Sequence, residues 1–191
     1  LKTSIANNSL IDKTKTEELL SKILSKYDNR KCKIYMLHGD LSDGQMRWLY
    51  SHDKIKCLIN IAHGEGFGLP MFEAAQSALP IATIGWSGQM DYLVQENKEY
   101  FAKIDHKLEK IGEDAVWEHV LQPESRWAYA ESGSFKMQIR KLKKNWKKYK
   151  KQAEKLQSLI VSKHQEQVMY AKFCEALDLK PTSDLEEIDE A

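Results

Sequence analysis

Short apolar runs alternate with amphipathic segments along the first half of the chain. Runs of strand length lie at residues 32–38, 56–62, 80–85 and 99–104, and residues 1–4 are predicted to end a further strand. Apolar spacing predicts helices at 15–27 and 69–78, a helix opened by a capping box of Ser42 with Gln45, and a short helix or turn at 87–93. Because strands alternate with helices, we expect an α/β fold, a Rossmann-like open parallel sheet flanked by helices over residues 1–110.

The first predicted helix has a clear apolar face. A capping box of Thr14 with Glu17 is expected to start it. The residues that share the face are Leu19, Leu20, Ile23, Leu24 and Tyr27.

The last third of the chain predicts long C-terminal helices over residues 111–177. A continuous stripe at helical spacing is formed by Phe135, Ile139, Leu142, Trp146, Tyr149, Ala153, Leu156 and Ile160. A capping box of Ser162 with Gln165 is expected to open a second helix at 163–177, with Val168, Phe173 and Leu177 as its apolar residues. Residues 178–191 are acidic and nearly devoid of apolar side chains, so we expect a mobile tail there.

Composition and charge exclude few classes of function. The 191 residues carry a formal net charge of +1, so bulk charge does not indicate a particular partner. The spacing of Cys32, Cys57 and Cys174 suggests neither zinc nor a disulfide framework, which favours a reducing compartment and a cytoplasmic location. No apolar run has the roughly 20 residues that a membrane span needs, and no signal peptide is recognised. Because the chain starts with Leu1, we expect it to be a fragment.

Lysines crowd residues 141–155, KLKKNWKKYKKQAEK, with Trp146 and Tyr149 between them. Basic residues interleaved with aromatics are typical of nucleic-acid binding. Both aromatics nevertheless fall on the apolar stripe, so we favour a core role for them, a solvated face for the lysines and no nucleic-acid partner. Peripheral contact with anionic lipid remains open.

The stretch 63–73, HGEGFGLPMFE, carries the strongest chemical signal. It follows a predicted strand and opens a helix with Pro70 in its first turn, a position where ligands bind in open parallel sheets. Glycines let a ligand approach the backbone, and free N–H groups at a helix start favour phosphate. Carboxylates such as Glu65 and Glu73 accept hydrogen bonds from sugar hydroxyls, so the loop suggests nucleotide-sugar binding. The glycine spacing matches neither a Walker loop nor the dinucleotide fingerprint.

Residues 65–83, EGFGLPMFEAAQSALPIAT, resemble the E-x7-E segment of the retaining glycosyltransferases of family 4, which have the GT-B fold. The similarity extends over residues 32–93 and loosely over residues 1–31. It implies a C-terminal donor-binding domain without its first strand–helix unit and without the N-terminal acceptor domain. A fragment of this kind is expected to be inactive alone.

The resemblance also implies roles for individual residues. Glu73 would bind the ribose hydroxyls, and Glu65 would contact the transferred hexose next to the reacting carbon. The remaining donor-binding residues would be the backbone of Gly66, Phe67, Gly68 and Leu69 for sugar and diphosphate, the loop of Leu37, His38 and Gly39 for the base, and Lys2 for the diphosphate. The implied substrate is a nucleoside-diphosphate sugar, the acceptor (glycan, lipid or protein) is unknown, and no cofactor is expected.

Other candidate residues are weaker. Asp40 and Asp43 are interpreted as caps or turn residues, and His38, His52, His63 and His106 are scattered, so no metal site is predicted. His63 is interpreted either as a phosphate contact or as structural. Trp86 is interpreted as a pocket wall in preference to a core anchor, whereas Trp48 and Trp117 are expected to pack inside.

Three functions remain open. The first is the donor-binding half of a hexosyltransferase, and the second is a nucleotide-binding or regulatory module without chemistry. The third is a glycoside hydrolase with Glu65 and Glu73 as its carboxylate pair, which is disfavoured because a turn and a helix do not obviously present them across a sugar. Spacing alone favours structural roles for both glutamates, and the resemblance favours the transferase.

Overall fold

A computed structural model describes residues 1–6 and 8–179. The chain divides into two units, Leu1–Met46 and Arg47–Ala191, and each is described by itself. The predicted tail at 178–191 lies outside the described residues from residue 180 onward. The predicted domain boundaries stay predictions.

The first unit contains helix α1 (Leu10–Leu24), which begins earlier than predicted. Ser9 is the N-cap, and its hydroxyl accepts a hydrogen bond from Asp12 N at 3.1 Å. The predicted capping box of Thr14 with Glu17 is therefore wrong, and the Thr14 hydroxyl instead donates to Leu10 O. The predicted apolar face is also wrong, because Leu19 and Ile23 are exposed whereas Asp12 and Thr16 are buried.

The predicted strand at 32–38 is reduced to a single parallel bridge between Lys2 and Leu37. Leu37 N donates to Leu1 O at 2.7 Å and Thr3 N donates to Leu37 O at 3.3 Å. A strand needs a partner along its length. Here the pairing stops at one position, and Ile34 and Tyr35 remain exposed.

The predicted parallel sheet is confirmed in the second unit. Its strands β1 (Leu58–Asn60), β2 (Ile81–Ile84) and β5 (Ala102–Ile104) run parallel in the order β1-β2-β5. The helices between them are α3 (Leu69–Gln76), with Pro70 in its first turn, and the short α4 (Met90–Leu93). The fold is therefore mixed α/β with a small parallel sheet, and its finer likeness to a Rossmann fold stays a prediction.

The strands differ in burial according to their place in the sheet. Every residue of the central β2 is buried, as a strand covered on both faces requires. Strand β1 also comes from an apolar run, but it lies at the edge of the sheet, and Ile59 and the following Ile61 are exposed. Helix α2 (Asp43–Ser51) precedes β1, and its predicted capping box is confirmed by reciprocal hydrogen bonds between Ser42 and Gln45.

Two antiparallel pairs were not predicted. Strands β3 (Val94–Gln95) and β4 (Lys98–Glu99) form a tight hairpin. Strands β6 (His106–Lys110) and β7 (Arg126–Ala130) pair across a longer loop that includes a 3₁₀ turn at Glu113–Ala115. The prediction of helices over residues 111–177 is therefore wrong at its start, because β7 lies there and the first long helix begins only after it.

The C-terminal helices are α5 (Ser132–Lys144), α6 (Trp146–Lys163) and α7 (Glu166–Ala176). The predicted continuous helix is wrong at Asn145, where the chain breaks between α5 and α6. The apolar stripe itself is confirmed, since Leu142 and Tyr149 are buried in the core beneath the sheet with Ile84 and Ile104, and Phe135, Ile139 and Trp146 pack against it.

Helix α7 departs from its predicted start and face. Gln165 is the N-cap, and the Ser162 hydroxyl donates to Leu159 O, so the predicted capping box is not formed. Phe173 and Leu177 are exposed, and Cys174 is the buried residue.

Candidate functional site

Two loops meet at the carboxyl end of the parallel sheet, where β1 and β2 stop. Glu65, in the loop after β1, donates its backbone N–H to the Ser87 hydroxyl at 3.0 Å. The Ser87 hydroxyl donates to Glu65 O at 2.7 Å, and Gly88 N donates to the same carbonyl at 3.0 Å. Three hydrogen bonds therefore fix the backbone of Glu65 against the loop that follows β2.

Glycine at position 88 is required by this contact. A Cβ built on Gly88 would lie 1.8 Å from the carbonyl oxygen of Gly66, far inside van der Waals distance. Ser87 has a positive φ of 78°, which turns the chain toward Glu65. The sequence did not identify Ser87 or Gly88 as site residues. The only signal for them was their place directly after Trp86, in the loop that follows a predicted strand.

The side chain of Glu65 is half-buried and has a defined partner. Asn60, the last residue of β1, donates from Nδ2 to Glu65 Oε1 at 3.1 Å. Asn60 Oδ1 accepts a hydrogen bond from Ala62 N at 2.7 Å, which fixes the amide orientation. Glu65 Oε2 makes no hydrogen bond with any residue that the structure describes. The strand end thus orients the carboxylate and leaves one oxygen for a ligand.

Gly68 terminates the loop in the left-handed region, with φ 80° and ψ 55°. Its carbonyl accepts hydrogen bonds from Met71 N at 2.9 Å, Phe72 N at 3.0 Å and the Tyr92 hydroxyl at 2.9 Å. A Cβ at this position would lie 2.8 Å from Met71 Cε. The start of α3 is therefore fixed by a glycine conformation together with a buried tyrosine.

An aromatic cluster supports the loop from below. The rings of Phe67, Phe72 and Tyr92 lie 5.0–5.2 Å apart between centroids. Burial, with a smaller effect from the Glu65 charge, raises the pKa of Tyr92 well above its usual value. Tyr92 therefore stays protonated and donates its hydrogen bond to Gly68 at any physiological pH.

The tip of the loop offers unpaired donors. Within the described residues, the backbone N–H groups of Gly66, Phe67, Gly68 and Leu69 make no hydrogen bond. Gly66, Phe67 and Leu69 are exposed, so the tip is open to solvent. These groups lie at the positive end of the α3 dipole and can donate hydrogen bonds to a bound anion.

Glu73 lies in the second turn of α3 and is exposed. Its carboxylate makes no hydrogen bond within the described part of the chain. Its charge reaches Tyr50: burial first, and the Glu73 carboxylate second, raise the pKa of Tyr50 to about 12. Glu73 is thus an accessible acceptor on the same loop–helix segment as Glu65.

Aromatic side chains of β7 flank the loop. The ring of His63 stacks on Trp127 at 4.8 Å with 9° between the planes, and it also contacts Tyr129 at 4.5 Å. His63 Nδ1 donates to Ala128 O at 2.9 Å, and Ala128 N donates to His63 O at 3.2 Å. His63 therefore joins the loop to β7. The sequence did not predict the hairpin of β6 and β7, so it could not indicate these partners of His63.

Trp86 was predicted to line a pocket, and Trp48 and Trp117 were predicted to be buried. Trp86 is 41% exposed and its ring lies 5.6 Å from the His106 ring, and its predicted role as a pocket wall stays a prediction. Trp48 and Trp117 were expected to pack inside, and this is wrong, because they are 65% and 66% exposed.

Four of the predicted donor-binding residues lie in the first unit. Lys2 and Leu37 form the parallel bridge, and Gly39 has a φ of +100° with open space around it. The side chain of His38 is buried, with Nε2 2.8 Å from Asp12 Oδ2, and the hydrogen bond to His38 lowers the pKa of Asp12. The ring of His38 is therefore committed to Asp12, and a role toward a donor for these four residues stays a prediction.

Among the residues that the structure describes, no group of three or more His, Cys, Asp or Glu side chains is arranged to hold a metal ion. Over the same residues, no helix combines the length and apolar character that a membrane crossing demands. Comparison of the chain with protein-family models, curated proteins and solved structures gives no match.

Proposed function

We propose that this chain is the donor-binding domain of a retaining glycosyltransferase, which moves a hexose from a nucleoside-diphosphate sugar to an acceptor. The observation that carries the proposal is the loop at residues 65–69. It combines a held carboxylate, four unpaired backbone donors and a helix start at the carboxyl end of a parallel strand. The resemblance of residues 65–83 to the E-x7-E segment supplies the reaction class.

The diphosphate would occupy the loop tip. Anions bind at helix starts because unpaired N–H groups point outward and the helix dipole adds a partial positive charge. Gly66 has no side chain to obstruct this approach. The Ser87 and Gly88 contacts hold these donors in place before the ligand arrives, and such preorganisation reduces the cost of binding.

The two glutamates would divide the hydroxyl groups of the donor between them. Glu65, with Oε2 unpaired beside the loop, suits the hexose. Glu73, one to two turns further along α3 and exposed, suits the ribose. Both are carboxylates that accept charge-assisted hydrogen bonds from neutral hydroxyls.

The chemistry requires charge stabilisation more than a nucleophile. As the sugar–phosphate bond breaks, the sugar gains oxocarbenium character and the leaving diphosphate gains negative charge. Backbone donors aimed at that charge stabilise the transition state, and removing one such donor costs roughly 3–4 kcal/mol in well-studied enzymes. The Glu65 carboxylate next to the reacting carbon would stabilise the positive charge on the sugar.

A nucleotide-binding or regulatory module without chemistry is the alternative. One observation favours it: Glu65 already has a partner in Asn60, and this hydrogen bond can hold the loop without any sugar. In that case Glu65 would be structural, and only the nucleotide would be recognised.

Calorimetric titration separates the two functions. The 191-residue chain is titrated with uridine, guanosine and adenosine diphosphates and with the corresponding nucleoside-diphosphate hexoses. For a donor site, the hexose tightens binding, Glu65→Gln removes that gain, and Glu73→Gln weakens both ligands. A module that recognises only nucleotide gains nothing from the hexose, and this result would overturn the transferase proposal.

Transfer of a radiolabelled hexose tests the reaction itself. A protein in which this chain is joined to an acceptor-binding domain is incubated with the nucleoside-diphosphate hexose that binds in the titration, radiolabelled in its hexose. Glu65→Gln is expected to abolish transfer while Lys136→Gln, an exposed change on α5, leaves it intact.

A further inference from the structure

Helix α6 has two different faces. Tyr149, Ala153, Leu156 and Ile160 are buried against the rest of the second unit. Beside this face lies a cavity of about 480 Å³, lined by Tyr100, Lys147, Lys148, Lys151, Gln152 and Lys155. Lys147, Lys151 and Lys155 follow each other at intervals of four residues and so share one side of the helix.

The four lysines around this cavity carry uncompensated charge. None of their side-chain ammonium groups makes an ion pair or a hydrogen bond with any described residue. The neighbouring carboxylates are engaged elsewhere, since Glu154 lies 3.9 Å from Lys150 and Glu99 lies 2.6 Å from Lys103. Like charges held at successive turns repel each other, and a bound anion relieves that repulsion.

A second, independent observation comes from Tyr100, which also lines the cavity. Only 6% of this residue is exposed, and its hydroxyl is buried without a hydrogen-bond partner in the described part of the chain. A buried hydroxyl without a partner is costly, and a bound water or ion is one explanation for such a group. Tyr100 is held by its backbone N–H, which donates to Leu93 O at 3.0 Å.

This cavity is separate from the donor loop. Tyr100 comes shortly before β5 and so lies at the amino end of the parallel strands, whereas the loop at residues 65–69 follows the carboxyl end of β1. Parallel strands place these two ends at opposite edges of the sheet.

We propose that the cavity between Tyr100 and α6 is a second anion site, which binds a multiply charged phosphoryl group. The lysine ammonium groups neutralise the phosphoryl charge, and the Tyr100 hydroxyl donates a hydrogen bond to one of its oxygens. A free diphosphate and a phospholipid headgroup both present this chemistry. The inference does not depend on the proposed transferase function.

The test uses inorganic pyrophosphate as a soluble probe and vesicles of phosphatidylcholine with or without phosphatidic acid as a lipid probe. Titrations are run on the full chain at physiological ionic strength, where the Debye length of about 8 Å screens diffuse attraction. The triple variant Lys147→Gln/Lys151→Gln/Lys155→Gln is expected to lose at least about tenfold in affinity, since charge-assisted hydrogen bonds are each worth roughly that factor.

The matched control removes the same charge from exposed positions on α5, as Lys136→Gln/Lys143→Gln/Lys144→Gln. This variant is expected to bind like the wild type. Equal losses in the two triple variants, or no binding of either probe by the wild type, would overturn the proposal. Lysine-dependent binding of pyrophosphate alone identifies a soluble ligand, and lysine-dependent binding of phosphatidic acid vesicles alone identifies a lipid headgroup.

Tyr100→Phe tests the hydroxyl without changing charge. We expect a several-fold loss of affinity for the probe that binds, with a thermal midpoint equal to or above that of the wild type. A purely structural tyrosine would leave the affinity unchanged, and that result would remove the hydroxyl from the site.

Discussion

At the scale of single residues, the candidate site depends on a few backbone contacts between two loops. Glu65 is held by Ser87 and Gly88, and Gly68 is held by Tyr92. Neither Ser87 nor Tyr92 would contact a ligand through the bonds they make here. Their contribution is to keep the loop tip in the shape that leaves its N–H groups free.

Gly88→Ala is expected to disturb this tip directly. The new Cβ would lie 1.8 Å from Gly66 O, so one of the two loops must move. Overpacking of this kind typically costs about 1–3 kcal/mol of unfolding free energy. Chemical denaturation and nucleotide titration should both detect the change.

Gly133→Ala is the matched control, because a Cβ at that position in α5 meets nothing within 4 Å. It should be at least as stable as the wild type, because alanine has the higher helix propensity. If Gly88→Ala were equally neutral in both measurements, the proposed rigidity of the loop contact would be refuted.

At the scale of elements, the break between α5 and α6 determines where the C-terminal helices pack. Asn145 donates from Nδ2 to Lys141 O at 3.1 Å and from its backbone N–H to the same carbonyl at 2.9 Å. Immediately after it, Trp146 Nε1 donates to Lys56 O at 3.0 Å, and Lys56 Nζ lies 4.6 Å from the Trp146 ring. The break therefore lets α6 approach the strand entry at Lys56.

Asn145→Ala is expected to destabilise the protein by about 0.5–1.5 kcal/mol, the usual net worth of a lost hydrogen bond. Alanine has the higher helix propensity, so helical circular dichroism should stay equal or rise while the thermal midpoint falls. Lys144→Ala, at an exposed neighbouring position, provides the comparison. A higher midpoint for Asn145→Ala would show that the break makes no net contribution to stability.

Elements determined by local chemistry could be predicted from the sequence. Pro70 and the glycines before it indicated the start of α3, and Ser42 with Gln45 indicated the start of α2. The apolar runs located β1, β2 and β5, although their ends were predicted too far out. Thr14 was predicted as the N-cap of α1, whereas Ser9 holds that position in the structure.

Features determined by distant contacts could not be predicted. The break at Asn145 accompanies a hydrogen bond between Trp146 and Lys56, which are 90 positions apart. Strand β6 is strongly polar and largely exposed, so no apolar alternation indicated its pairing with β7. In the site, Glu65 and the loop glycines were recognised, whereas Asn60, Ser87 and Tyr92 were missed because their partners lie on other elements.

At the scale of the whole molecule, buried tyrosines make stability depend on alkaline pH. Burial and the Glu73 charge raise the pKa of Tyr50 to about 12, and burial raises that of Tyr92 further. In the unfolded chain both would ionise near pH 10. Above that pH the unfolded state has fewer bound protons than the folded state, so stability falls as pH rises.

Thermal unfolding between pH 8 and pH 12 measures this effect. Below pH 10 the two tyrosines should contribute no slope, and above it each should remove up to roughly 1.4 kcal/mol per pH unit. Tyr50→Phe should flatten the decline between pH 10 and about 12, whereas Tyr27→Phe, an exposed tyrosine, should leave it unchanged. An identical decline in both variants would assign the effect to other groups.

The central claim is that the loop at residues 65–69 with Glu73 binds a nucleoside diphosphate. Isothermal titration of the chain with uridine, guanosine and adenosine diphosphates tests it most directly. We predict measurable binding of one of the three, loss of that binding in Glu73→Ala, and wild-type binding in the control Glu166→Ala on α7. Absence of binding for all three nucleotides, or equal binding by wild type and Glu73→Ala, would contradict the account.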